Sequence, residues 1–271
     1  MNMSIIAASR LRGSDFTGFL NDFSGASIGL SLQLLDVNYN GKCIRVRRSS
    51  DDAELDIGFL NNVLDTASLL DFVGSGNGFV TTIYDQVGNN NMIAPVASLQ
   101  GQVVSNGAVI LKGGKPCIIR SANNNGGYLS SYGPNDGATV KGMFYVGDNE
   151  GKKSMIFGSE GEANDYVLFA VSGSSSTNID GFPILIFLTK LNGLTVNLSN
   201  RGEVFTATNN HFLLYREIDF NFADNSSFGL GYRKTNPNGS GMYTFQELVI
   251  FENTNDAIAK ENNINGRYSI Y

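Results

Sequence analysis

The sequence predicts an all-β sandwich with a few short helices, and three observations carry that expectation. Short runs of two-residue hydrophobic alternation recur along most of the chain. Asn-Gly and Gly-Gly dipeptides punctuate them, as tight hairpins require. Gly is abundant at 32 residues, Pro scarce at 5, and the aromatics are 18 Phe and 11 Tyr with no Trp, a mix that suits strands joined by turns.

The first half contributes several strands. In "CIRVRRSS", Ile44 and Val46 point one way and Arg45 and Arg47 the other; "GFVTTIYDQ" repeats the pattern around Val80, Thr82 and Tyr84. "VVSNGAVILKGGKPCII" reads as short strands broken at Asn106-Gly107 and Gly113-Gly114, where positive φ angles are needed. Further strands follow in "KGMFYVGD", "KSMIFGS", "DYVLFAVSG", "FPILIFLTKL", "LTVNLS", "HFLLYREIDFNFA", "SFGLGYRK" and "MYTFQELVIF", enough for two packed sheets.

Helical spacing appears in three places. "SGASIGLSLQLLD" and "LDTASLLDFVGSG" place apolar residues three and four apart, the second with Asp65 or Thr66 as cap and Gly74 as stop. "TNDAIAKENNINGRY" predicts a closing helix started by Thr254 or Asn255. A chain of 271 residues, 42% hydrophobic, buries one core, so residues 21–271 are expected to form one domain and residues 1–20 an arm or docking segment.

The formal net charge of −6 and a pI near 4.8 disfavour nucleic acid and anionic membranes as partners. No stretch reaches the roughly 20 apolar residues of a membrane span, and the amino terminus lacks the apolar core of a secretory signal, so synthesis in a cytoplasm is expected. Cys43, Cys117 and the single His211 are too few for a disulfide framework or a zinc site, and neither a metal nor a cofactor is expected. His211 has no Ser-Asp partners at a triad's spacing and is assigned no role, and "GSGNGF" lacks the Lys-Ser/Thr of a phosphate loop and reads as a turn.

Two polar loops are candidate ligand sites. Asp85, Gln86, Asn89 and Asn91 crowd one loop, where sugar hydrogen bonding, calcium ligation and bonding to the loop's own backbone compete as explanations. Tyr128 and Tyr132 sit in an Asn/Gly/Ser-rich loop of a composition common at recognition surfaces. In "GKCIRVRRSSDDAELDIGF" a hairpin brings Asp51, Asp52, Glu54 and Asp56 back across from Arg45 and Arg47, and the cluster of Arg45, Arg47, Asp51, Asp52 and Asp56 is read as ion-paired framework.

The order "IRVRRSSDDAE", "DIGF", "TTIYDQ", "KGGKP" and "FGLGYRKTNPNGSGMYTFQE" resembles a module of phage fibre and virion proteins that is similar to the catalytic domain of B-type α-L-arabinofuranosidases. The resemblance implies a concanavalin A-like jelly-roll sandwich. A retaining glycosidase needs two carboxyl groups about 5 Å apart. By the resemblance, the nucleophile's stretch is "PILIFLTKLNG", with Thr189, Lys190 and Asn192 but no acid, and the acid/base position falls at Arg233 and Lys234. Neither cation replaces a carboxylate.

The expectation that follows is a non-enzymatic bacteriophage virion component, of fibre, tail or capsid surface. It is expected to be homo-oligomeric, to contact other virion proteins, and to bind a host glycan or surface receptor without nucleic acid or membrane. The alternative is a glycoside hydrolase of the α-L-arabinofuranosidase type, with Glu247 as a replacement acid opposite Asp148, Asp180 or Asp219.

Overall fold

The structure, a computed structural model, describes residues 16–88, 90–94, 96–120, 127–130, 139–159, 166–168, 170–180, 185–221, 228–231 and 241–271. Among these residues two main sheets face each other. The six-stranded sheet runs in the order Ala26–Ser31, Glu247–Phe251, Thr139–Gly147, Phe212–Asn221, Leu185–Leu191, Leu194–Thr195. The larger sheet runs Tyr166–Val167, Phe157–Ser159, Phe228–Leu230, Tyr128–Ser130, Met92–Ile93, Gly78–Ile83, Ile44–Arg48, Glu54–Ile57, and Gly101–Ser105 also pairs with Gly78–Ile83. All pairings within these two sheets are antiparallel.

The main core lies between the sheets. Ile28, Met143, Leu214, Leu248 and Ile250 come from the first, and Ile44, Val46, Val80, Ile83, Tyr128 and Leu230 from the second. Each such side chain contributes about 1.5–3 kcal/mol by leaving water. This is the all-β sandwich that the alternation predicts.

A second apolar cluster covers the outer face of the six-stranded sheet. Phe144, Tyr215, Val249 and Phe251 pack there against Phe19 of helix α1 (Phe19–Asp22), and against Ile264 and Tyr268 of the carboxy-terminal helix. Phe19 falls inside the segment expected as an arm, and it is 2% exposed. Residues 1–15 lie outside the described residues.

Turn chemistry follows the sequence. Asn106 and Gly107 have φ of 49° and 74°, and Gly113 and Gly114 have 55° and 72°, each pair closing a hairpin. Helix α2 spans Thr66–Val73, its Ser68 amide donating to the Asp65 carboxylate, and Gly74 ends it at φ 66°.

The closing helix spans Ala257–Tyr268, with Asp256 rather than Thr254 or Asn255 at its cap position. A helix the periodicity does not announce, α3 at Arg201–Ala207, precedes it and makes the closing helix α4. Its sign is a capping box: the Glu203 amide donates to Asn200 Oδ1, and the Ser199 amide donates to Glu203 Oε2.

One predicted helix is a strand. Ala26–Ser31 pairs with Glu247–Phe251. Residues 28–35 are buried throughout, Ile28 and Leu30 in the main core and Leu35 in the outer cluster. A segment covered on both faces loses the two-residue alternation, and its apolar residues then fit a helical spacing equally well.

Glu247 is fully buried beneath α4. Arg267 grips both its oxygens at 2.6 Å, while Ser31 Oγ and Tyr268 Oη donate to Oε2 at 2.8 and 3.2 Å. This acid is therefore a bolt between helix and sheet, where the sequence suggests a replacement catalytic acid. Substituting Glu247→Ala leaves Arg267 uncompensated and is expected to cost about 3–5 kcal/mol of unfolding free energy in a denaturant titration. A loss below about 1 kcal/mol contradicts the pairing.

His211 lies against the hairpin turn at Gly113. Gln246 Nε2 donates to the carbonyls of Lys112 and Pro116, so its Oε1 accepts from His211 Nε2–H at 2.6 Å. Burial lowers the imidazole pKa from its ordinary 6.5; Gln246 and Asp148 oppose this, and Lys112 adds to it. The unfolded chain therefore binds the proton first, so stability is fully present above about pH 6.5 and falls as pH drops below it. Denaturation midpoints at pH 7 and pH 5.5 should differ more for the native chain than for His211→Gln. Equal differences in the two refute the assignment.

Candidate functional site

Three segments meet at one end of the sandwich. Leu185–Leu191 pairs with Phe212–Asn221, placing Thr189 opposite Arg216. Asn192 and Gly193, at φ 52° and 77°, turn the chain back so that Val196 donates its amide to the Thr189 carbonyl at 2.9 Å. Asn192 is held by its side chain, which accepts from the Leu213 amide at 2.9 Å. These segments enclose a cavity of about 370 Å³ lined by Ile179, Phe187, Thr189, Val196, Asn197 and Arg216 among others. Its walls are polar and apolar in about equal measure, with Thr189, Thr195, Asn197 and Arg216 among the apolar side chains.

The floor is charged and ordered. Arg216 is 1% exposed, and its Nη1 and Nη2 donate to the two oxygens of Asp180 at 2.7 and 3.0 Å. Its Nε donates to Thr189 Oγ1 at 3.3 Å. Asp180 Oδ1 also accepts from the Leu168 amide at 2.9 Å, and the Leu168 carbonyl accepts from Tyr243 Oη at 3.2 Å. Leu168 has φ 52°, an unfavourable conformation for a leucine that these bonds hold in place. The guanidinium thus ties the segment ending at Asp180 to two neighbouring strands.

The other acids weighed with Glu247 are held elsewhere by their own cations. Asp148, wholly buried, pairs with Lys112; Asp219 pairs with Lys141 at 2.7 Å. Lys190, next to Thr189, points to the opposite face of the sheet and donates to Glu261 of α4 at 3.1 Å. Arg233 and Lys234 lie outside the described residues.

The described candidates from the two polar loops make hydrogen bonds within the fold. The Asp85 carboxylate accepts from the amides of Gly29, Val87, Gly88 and Asn90 at 2.8–3.2 Å, which spends its acceptors on backbone. Gln86 accepts from the Leu35 amide and donates to the Ser31 and Gln33 carbonyls, stitching the Ala26–Ser31 segment to the loop. Asn91 accepts from the Asp85 amide. Tyr128 is completely buried, its hydroxyl accepting from Gly101 and donating to the Val80 carbonyl. Asp85, Gln86 and Tyr128 are thus buried and bonded to backbone, whereas Asn91 is half-buried with its side-chain oxygen on the Asp85 amide. Asn89 and Tyr132 lie outside the described residues.

In the arginine cluster, Arg45 meets Glu54 at 2.7 Å and Asp56 at 3.7 Å, Arg47 meets Asp52, and Arg48 grips Asp51 through both oxygens at 2.8 and 2.7 Å. The Arg48 guanidinium brings the Asp51 carboxyl down to about 2.

Arg216 and Phe187 are candidate-site residues that the pattern reading misses, while Asp180, weighed there as an acid opposite Glu247, is paired with Arg216 instead. One signal was available: in "HFLLYREIDF", Arg216 shares the inward side of its strand with Phe212 and Leu214, and an inward charge demands a buried partner.

Comparison with known proteins bears on this geometry. The family model described as the catalytic domain of α-L-arabinofuranosidase B matches residues 30–148. A crystal structure of an arabinofuranosidase complexed with arabinofuranosyl-α-1,2-xylobiose superposes with a TM-score of 0.59 at 15% identity, covering 91% of this chain and 64% of that one. A GH54 α-L-arabinofuranosidase soaked with a cyclic sulfate inhibitor gives 0.52 at 15% identity, covering 88% and 62%. This chain thus spans a little under two thirds of the length of those proteins. No curated protein sequence matches.

These findings correct the expectation of a non-enzymatic bacteriophage virion component. The matched family model describes a catalytic domain and the matched structures are arabinofuranosidases; none is described as viral or as a fibre. The chain carries the β-sandwich of an arabinofuranosidase-like catalytic domain.

Proposed function

We propose that this chain is a glycoside hydrolase of the α-L-arabinofuranosidase type that seats its sugar in the cavity beside Leu185–Leu191. The observation that carries the reading is the match of residues 30–148 to an arabinofuranosidase catalytic-domain model. One wall of the cavity is the stretch that the sequence resemblance aligns with the enzymes' nucleophile strand, where this chain carries Thr189 and no acid.

Glycoside hydrolysis passes through a transition state with positive charge on the anomeric carbon, and it uses two carboxyl groups, about 5 Å apart when configuration is retained. Asp180 is the acid we assign to one of these roles; the described residues that line the cavity include no carboxylate for the other. Asp180 stands one guanidinium behind the cavity, and Arg216 fixes its orientation through both oxygens. Thr189 and Asn197 offer hydrogen bonds to the sugar hydroxyls from the wall.

The purified chain is expected to release 4-nitrophenol from 4-nitrophenyl α-L-arabinofuranoside with saturation kinetics. Asp180→Asn should lower kcat by about 10²-fold or more, with the fold verified by circular dichroism. Thr189→Ala, which leaves the ion pair intact, should raise KM several-fold. Release no faster than in buffer, or an Asp180→Asn enzyme with undiminished kcat, overturns the reading.

A further inference from the structure

Phe187 occupies an unusual place in the strand Leu185–Leu191. Ile186 stands opposite Ile218 and Leu188 opposite Glu217, so Phe187 is the extra residue of a β-bulge, with no partner across the ladder. A bulge re-aims the side chain it carries, and this one lines the mouth of the cavity. Phe187 is 63% exposed.

We infer that Phe187 is the platform on which the sugar packs, a positioning residue that sets substrate affinity at the cavity. This rests on the glycosidase reading and extends it. A sugar ring is hydroxylated around its edge, but its faces carry C–H bonds that are poor in electrons. Such a face matches the electron-rich face of a phenyl ring, whereas an anionic ligand does not. Arg216, whose charge Asp180 already neutralises, lies on the floor of the same cavity. The pairing of an aromatic platform with a neutralised polar floor selects an uncharged glycoside, held by one ring face on Phe187 and by hydroxyls on the wall.

The sequence contains no tryptophan, so Phe187→Trp installs the sole indole fluorophore at the mouth of the cavity. Titrating this variant with methyl α-L-arabinofuranoside should shift or quench its emission saturably, and glucuronate at the same concentration should not. In turnover of 4-nitrophenyl α-L-arabinofuranoside, Phe187→Ala should raise KM about fivefold to tenfold with kcat nearly unchanged, and Phe187→Tyr or Phe187→Trp should restore KM. An active enzyme whose KM ignores Phe187→Ala overturns the platform while leaving the glycosidase intact. An inactive chain whose Phe187→Trp emission still reports sugar binding overturns the glycosidase reading and keeps the platform. Emission indifferent to the sugar in an enzyme that turns it over removes Phe187 from the site.

Discussion

The bidentate pair between Arg216 and Asp180 is the constraint from which the candidate site takes its shape. Both groups are withdrawn from water, the side chains 1% and 8% exposed, and the desolvation of two charges consumes much of their attraction. The pair's contribution is therefore geometric more than energetic. It holds the segment ending at Asp180 against Phe212–Asn221, fixes Thr189 through a third hydrogen bond, and keeps Leu168 in a left-handed conformation. Loss of either partner leaves a buried charge unpaired, so the cavity and the pair stand or fall together.

The remaining buried ion pairs of the six-stranded sheet do a different task. Glu247 with Arg267, and Lys190 with Glu261, connect the outer face of the sheet to α4. Successive residues along one strand divide the work, since Thr189 faces the cavity and Lys190 faces the helix. One strand thus serves the proposed site on one side and the integrity of the sandwich on the other, which concentrates the consequences of substitutions there.

Much of the fold was legible in the sequence because its signals are local. Ile44 and Val46 alternate with Arg45 and Arg47, Asn106-Gly107 and Gly113-Gly114 adopt positive φ, and Asp65, one of the two caps that the sequence offers, caps α2. Ala26–Ser31 was misread because burial on both faces erases the alternation on which strand recognition depends. The site was far less legible. Asp85, Gln86 and Tyr128 have the polar and aromatic character of ligand groups, yet their hydrogen bonds satisfy backbone at distant positions, and only folding reveals which partner wins. Asp180 and Arg216 are 36 residues apart, and no spacing rule joins them.

The account's central claim is that the cavity walled by Leu185–Leu191 and floored by Arg216 is where an arabinofuranoside binds. A crystal structure of the native chain soaked with methyl α-L-arabinofuranoside, the Arg216–Asp180 pair intact, addresses it directly. The account predicts furanose density in that cavity, one ring face toward Phe187 and hydroxyls within hydrogen-bond distance of Thr189 or Arg216. Density for the sugar at any other surface of the sandwich, with this cavity empty at saturating ligand, would contradict it.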